Sequence, residues 1–215
     1  MVKNYRKLVS FMKDTIKWSD IVDGREAAYN ALYDRYADLL YGYGMKIVAD
    51  EAVVMDAMQT LFMNIFEKRK SLSAPNSMAA YLCRSLKNLL INEMQSASSK
   101  YTCKINDADA ADYDFDLQPD IENALIAGEE ENEKLRIFKE ELSKLSRQQR
   151  EMLYLRYYKG LAIEEIAEIL SVSKRTVYNT TNNALTRLRE NKVLARYFGK
   201  AAIMFLLSIG KFYNI

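Results

Sequence analysis

Apolar positions along this chain recur three and four residues apart, in blocks, and period-two alternation is scarce. Leu32, Tyr36, Leu39, Leu40 and Tyr43 form one stripe and predict an amphipathic helix over residues 27–48. Val54, Met58, Leu61, Phe62, Ile65 and Phe66 predict a second, from about Glu51 to Arg69. The stretch from Ser71 to Pro75 breaks the pattern. Asn76 or Ser77 can cap a third helix reaching about Ser98, whose buried stripe includes Met78, Leu82, Leu86, Leu89 and Leu90. The pattern fades between Tyr101 and Gly128 and then returns. Glu130–Leu142 reads as a helix, Ser146 caps another over Arg147–Tyr158, and Gly160 ends it.

These blocks predict an all-α protein of two small helical domains joined by a flexible linker. The boundaries are residues 1–100, a linker at 101–128, a second domain at 129–192 and an apolar tail at 193–215. Val2–Trp18 is expected to pack on the first domain. Two prolines and seven glycines in 215 residues leave room for long helices. The linker reads as mobile and, as a free coil, would span roughly 30 Å.

Charge is also divided by region. Residues 1–105 hold 15 basic and 11 acidic side chains, residues 106–133 hold none and 11, and residues 134–215 hold 16 and 7. Two basic blocks therefore flank an acidic connector, a distribution that suits a polyanionic partner. The connector could fold back on those basic blocks, or lie in a basic channel of a larger partner. Asp112, Asp114 and Asp116 have the D-x-D spacing of a calcium loop, but Leu117 and Asn123 stand where its glycine and bidentate glutamate belong.

Residues 163–188 carry the sharpest local signal. Glu164–Leu170 is a short helix with Ile166, Ala167 and Leu170 facing inward, and Ala167 is small where two helices approach. Ser171, Val172 and Ser173 make a turn, Val172 plugging the angle and Ser173 capping the next helix. Val177, Thr181, Ala184 and Leu188 form that helix's inner stripe. Ser173, Lys174, Arg175, Thr176, Tyr178, Asn179 and Asn182 are left at its start and on its outer face. Arg and Lys reach phosphates and guanine edges, and Asn can pair with adenine, so this face suits a major groove. A solvated helix in an ordinary bundle is the alternative.

Here the chain resembles a known family. Residues 142–190 are similar to region 4 of sigma-70 factors, through Leu145, Arg150, Glu151, Leu155, Tyr157, Gly160, Glu165, Ile166, Ala167, Ser173, Val177, Ala184 and Leu188. Residues 56–72 resemble region 2.2, and residues 81–95 resemble regions 2.3 and 2.4, with Tyr81, Leu82, Arg84, Asn88 and Asn92 at matching places. Order and spacing are those of the small extracytoplasmic-function (ECF) class. The resemblance implies a non-enzymatic factor that binds core RNA polymerase and promoter DNA. Asp56, Gln59, Phe62 and Glu67 would meet the polymerase. Lys70, Asn76, Tyr81, Arg84, Lys87 and Asn88 would hold the melted −10 element, and the helix-turn-helix would read the −35 element. An anti-sigma factor, soluble or membrane-bound, is an expected further partner. Thr60, Gln95, the neutral stretch Ser96–Ser99, and Ser171 in place of the usual turn glycine depart from the pattern. A helix-turn-helix regulator acting without polymerase, and an adaptor that binds only protein, remain open alternatives.

Composition removes other classes. The chain has no histidine, and Cys83 and Cys103 are its only thiols, neither in a CxxC. No zinc set, nucleophilic triad, P-loop or dinucleotide fingerprint can be assembled, so no metal, cofactor or enzyme activity is expected. Cys83 reads as a small core residue and Cys103 as a spare thiol. Isolated cysteines and the lack of a signal peptide predict the cytoplasm. The run Ala201–Ile209 is too short to span a bilayer. The tail is read as a cover for an apolar surface of the second domain, with docking to an inhibitory partner or a membrane surface as alternatives.

Overall fold

The computed structural model describes residues 16–98, 113–115, 117 and 129–196, and every regular element among these is helical. The first domain comprises α1 (Trp18–Val22), α2 (Glu26–Ile47), α3 (Glu51–Lys68) and α4 (Met78–Ser98). The second comprises α5 (Glu129–Ser143), α6 (Arg147–Leu153), a π-helical turn (Tyr154–Tyr158), α7 (Ile163–Ile169) and α8 (Lys174–Glu190). The expectations for residues 1–15, Cys103, Asp112, Asp116 and the tail beyond residue 196 lie outside the described residues.

In the first domain α4 packs against both α2 and α3. The predicted stripes meet there, except that Phe66 is exposed: Leu32, Leu40, Val54, Met58, Leu61, Ile65, Leu82, Leu86 and Leu90 are all buried, and each such side chain contributes about 1.5–3 kcal/mol. Gly44 permits the close approach of α2 to α3, since a Cβ there would stand 2.7 Å from Val54 Cγ1. Asp50 caps α3 by accepting from the Ala52 and Val53 amides at 3.0 and 3.3 Å. The Trp18 indole donates to the Leu72 carbonyl at 3.3 Å, fastening α1 to the loop between α3 and α4. Cys83 is fully buried, as its reading as a core residue expected.

In the second domain Ser146 and Gln149 form a reciprocal capping box at the start of α6. The predicted helix over 147–158 is not α-helical to its end: its last five residues widen into a π-turn, closed by the Lys159 amide donating to the Tyr154 carbonyl at 3.0 Å. Gly160, at φ 70°, then reverses the chain in a conformation that glycine adopts freely. Asn191, just past α8, donates to the Glu141 carboxylate at 2.6 Å and ties the end of that helix to α5.

The connector differs from its reading as wholly mobile. Tyr113, Phe115 and Leu117 are buried, with Asp114 exposed. They lie where the two domains meet. There α4 packs on α7, and Ser77 donates to Glu165 at 2.7 Å. The two groups of helices share a buried joint.

Candidate nucleic-acid interface

The helix-turn-helix is built as its residue pattern requires. Ala167 is buried between α7 and α8, and its carbonyl accepts from the Val172 amide at 3.0 Å. Ser171 has φ 55°, the left-handed conformation that reverses the chain there. Val172 packs half-buried against the core. The Ser173 hydroxyl accepts from the Thr176 amide at 3.0 Å, capping α8. Val177, Thr181, Ala184 and Leu188 are buried together with Leu185.

The opposite face of α8 is open. Lys174, Arg175, Asn179 and Asn182 are exposed, and so is the Tyr178 ring, at 56%. Ser173 is exposed and Thr176 half-buried, both engaged in the cap. Lys174 pairs with Glu164 at 3.2 Å, and both groups are more than half exposed, so the pair is readily exchanged for a phosphate.

In the first domain Asp56, Gln59 and Glu67 project from one side of α3 with Met55, Met63 and Phe66, three exposed apolar side chains. Phe62 is half-buried, its ring 5.2 Å from that of Tyr33, so it supports this face more than it presents itself. The Arg69 guanidinium lies 4.4 Å from the Phe66 ring.

The residues expected at the −10 element separate into two groups. Lys70, Asn76, Arg84 and Asn88 are exposed and Tyr81 is half-buried, along the loop and the outer side of α4. Lys87 is buried, only 5% exposed, and forms an ion pair with Glu151 at 3.4 Å. Its placement results from tertiary packing, with Glu151 of α6 and Tyr113 of the connector set against it. Beside the loop lies an open cavity of about 220 Å³ lined by Ile16, Trp18, Arg35, Tyr36, Ala74, Pro75 and Met78. Trp18, Arg35 and Tyr36 were not among the expected site residues. They come from α1 and α2, and no sequence spacing links them to the loop.

Two packed groups of helices, one carrying a helix-turn-helix with an exposed face of Lys174, Arg175, Tyr178, Asn179 and Asn182, give the chain the architecture of a DNA-binding protein. Residues 32–100 match the family Sigma-70 region 2, and residues 135–188 match Sigma-70, region 4. The chain is 26% identical over 164 residues to the ECF RNA polymerase sigma factor SigL of Mycobacterium tuberculosis, covering 76% of this chain and 88% of that one. It is 23% identical over 173 residues to the ECF sigma factor SigX of Bacillus subtilis, covering 80% and 87%. The fold is similar to that of CnrH, solved in complex with the cytosolic domain of CnrY, with TM-score 0.50, 18% identity, and 80% and 91% of the two chains covered. The chain belongs to the sigma-70 family, in its ECF subfamily. Among the described residues no helix is long and apolar enough to cross a membrane.

Proposed function

We propose that this chain docks on core RNA polymerase in the cytoplasm and directs it to promoters, itself making and breaking no bond. The exposed side of α3, with Asp56, Gln59, Glu67 and its apolar neighbours, is the polymerase-binding face. The α8 outer face reads the −35 element. Loop 69–77 and the start of α4 hold the opened −10 element, where the rings of Trp18 and Tyr36 and the Arg35 guanidinium can receive unstacked bases. Tethering two weak DNA contacts to one polymerase raises their effective concentration, which is how weak readers become selective. A further protein partner belongs to this reading, since the similar CnrH was solved in complex with the cytosolic domain of CnrY.

The observation that carries the proposal is the division of α8 into a wholly buried stripe and an exposed face of Lys174, Arg175, Tyr178, Asn179 and Asn182. The test is run-off transcription with purified core polymerase on genomic fragments. New start sites should appear with the chain and vanish with Arg175→Ala and Tyr178→Ala, two exposed substitutions that should move stability by less than about 0.5 kcal/mol. Operator binding by a dimer, with no effect on initiation, would point instead to an ordinary helix-turn-helix regulator.

A further inference from the structure

We propose that the connector residues Tyr113, Asp114, Phe115 and Leu117 form a built-in clasp that holds the two domains shut and keeps the Lys87 side of α4 away from DNA. The second half of that statement rests on the promoter-binding reading above. The first half rests on geometry alone.

The clasp alternates. Tyr113 and Phe115 are 4% and 0% exposed and Leu117 is 2% exposed, whereas Asp114 between the first two faces solvent. An extended segment buries every second side chain when it lies in a groove, and the walls of this groove come from different domains. The Phe115 ring stands 6.1 Å from Tyr43 on α2 and 5.5 Å from Tyr154 on the π-turn. The Arg150 guanidinium, on α6, donates to the Phe115 carbonyl at 2.8 Å and also binds the Asp114 carboxylate. The Arg147 guanidinium lies 4.4 Å from the Tyr113 ring.

Beneath the clasp, one carboxylate gathers groups from three parts of the chain. Glu151 is 1% exposed. Its Oε1 accepts from the Tyr43 hydroxyl at 2.5 Å and pairs with Lys87 at 3.4 Å, both from the first domain. Its Oε2 accepts from the Tyr113 hydroxyl of the clasp at 2.8 Å. The ammonium of Lys87 also lies 5.7 Å from the Tyr113 ring. A buried ion pair adds little net stability, because taking both charges from water offsets most of their attraction, yet it fixes geometry sharply. Both charges are readily rehydrated when the domains part. Such a joint is specific and separable, which suits a switch better than a core.

What the shut state hides is selective. Lys87 is enclosed, while the outer face of α8 and the exposed side of α3 stay open. A partner reaching those open faces can therefore engage the shut form first and open it afterwards.

The test uses the full chain carrying Phe115→Ser with Leu117→Ser, compared with the unchanged chain. The radius of gyration from small-angle scattering should rise, and amide exchange should accelerate on the facing sides of α4 and α7 while the helical signal is kept. Unchanged size and protection would overturn the clasp. Should the double variant lose its helices, chymotrypsin digestion of the unchanged chain still decides. Slow cleavage after Tyr113 and Phe115, released by Arg150→Gln, supports the clasp, and cleavage as fast as in an unfolded peptide sinks it. Neither readout involves polymerase or DNA, so failure of the promoter reading is scored separately. The opened variant should also bind single-stranded DNA oligonucleotides several-fold more tightly. Opening without that gain keeps the clasp and overturns its role in hiding a DNA contact.

Discussion

The Ser77 hydroxyl and the Glu165 carboxylate share a 2.7 Å hydrogen bond that joins the starts of two helices in different domains. Ser77 Oγ also accepts from the Ala80 amide at 3.2 Å, capping α4, and Glu165 Oε2 accepts from the Ala162 amide at 2.8 Å, capping α7. Each side chain thus closes its own helix end and, through the other, the joint. Ser77→Ala should lower stability by about 1 kcal/mol through the lost cap. Ser77→Asp keeps an acceptor for the cap but sets a second carboxylate against Glu165. It should retain helix stability while loosening the joint. Urea unfolding followed by circular dichroism, with amide exchange of α7, separates the two effects.

Glu151→Gln tests the buried pair. Without its counter-charge, Lys87 stays enclosed at a cost of about 3–5 kcal/mol, more than a separable joint can hold. The expected outcome is opening rather than unfolding: an unchanged far-ultraviolet dichroism spectrum with a larger radius of gyration. A smaller loss is expected of Tyr113→Phe, which removes one hydroxyl from the carboxylate and leaves the ring in place.

Ser171 stands at φ 55° in the helix-turn-helix, where a side chain is strained by roughly 1–2 kcal/mol relative to glycine. Glycine recovers that strain at the expense of greater freedom in the unfolded chain. Ser171→Gly should raise stability by about 1 kcal/mol and leave run-off transcription unchanged, since glycine keeps the same backbone conformation and so the same placing of α8. Thermal unfolding and run-off transcription on one preparation check both halves.

Cys83 carries a pH signature. Burial, reinforced by Glu165 and opposed by Lys159, pushes its thiol up to about 12 from an ordinary 9.0. Tyr43 is also raised well above 10.0, first by burial and then by the adjacent Glu151 carboxylate. A raised pKa means the folded state holds its proton more tightly than the unfolded chain. The corresponding stability is complete below about pH 9 and drains away as pH climbs through the folded value near 12. Midpoints of urea unfolding should therefore fall with rising alkalinity above pH 9. In a Cys103→Ser background, Cys83 should resist thiol reagents at pH 8 until denaturant is added.

Much of the architecture was legible from the amino acids. The stripes on α2, α3, α4 and α8, the caps at Ser146 and Ser173, and the stop at Gly160 follow from local rules, because each needs only neighbours three or four places away. The outer face of α8 was legible for the same reason, being what remains once its inner stripe is assigned. The π-turn at Tyr154–Tyr158 was not, since it lies at the joint, where Tyr154 meets Phe115 from a segment far away in sequence. The cavity beside loop 69–77 was equally hidden, its walls arriving from three segments.

The longer helices, their order and the exposed outer face of α8 were thus legible in the chain alone, for hydrophobic period and capping act over a few residues. Tertiary structure alone decided the fate of Lys87 and of the acidic connector. By composition one was an open cation and the other a solvated tether. Partners distant in sequence made the lysine interior, through Glu151, and Phe115 of the connector interior, through Tyr43 and Tyr154. No local pattern encodes such pairing, because burial of a charge depends on which opposite charge the fold brings to meet it.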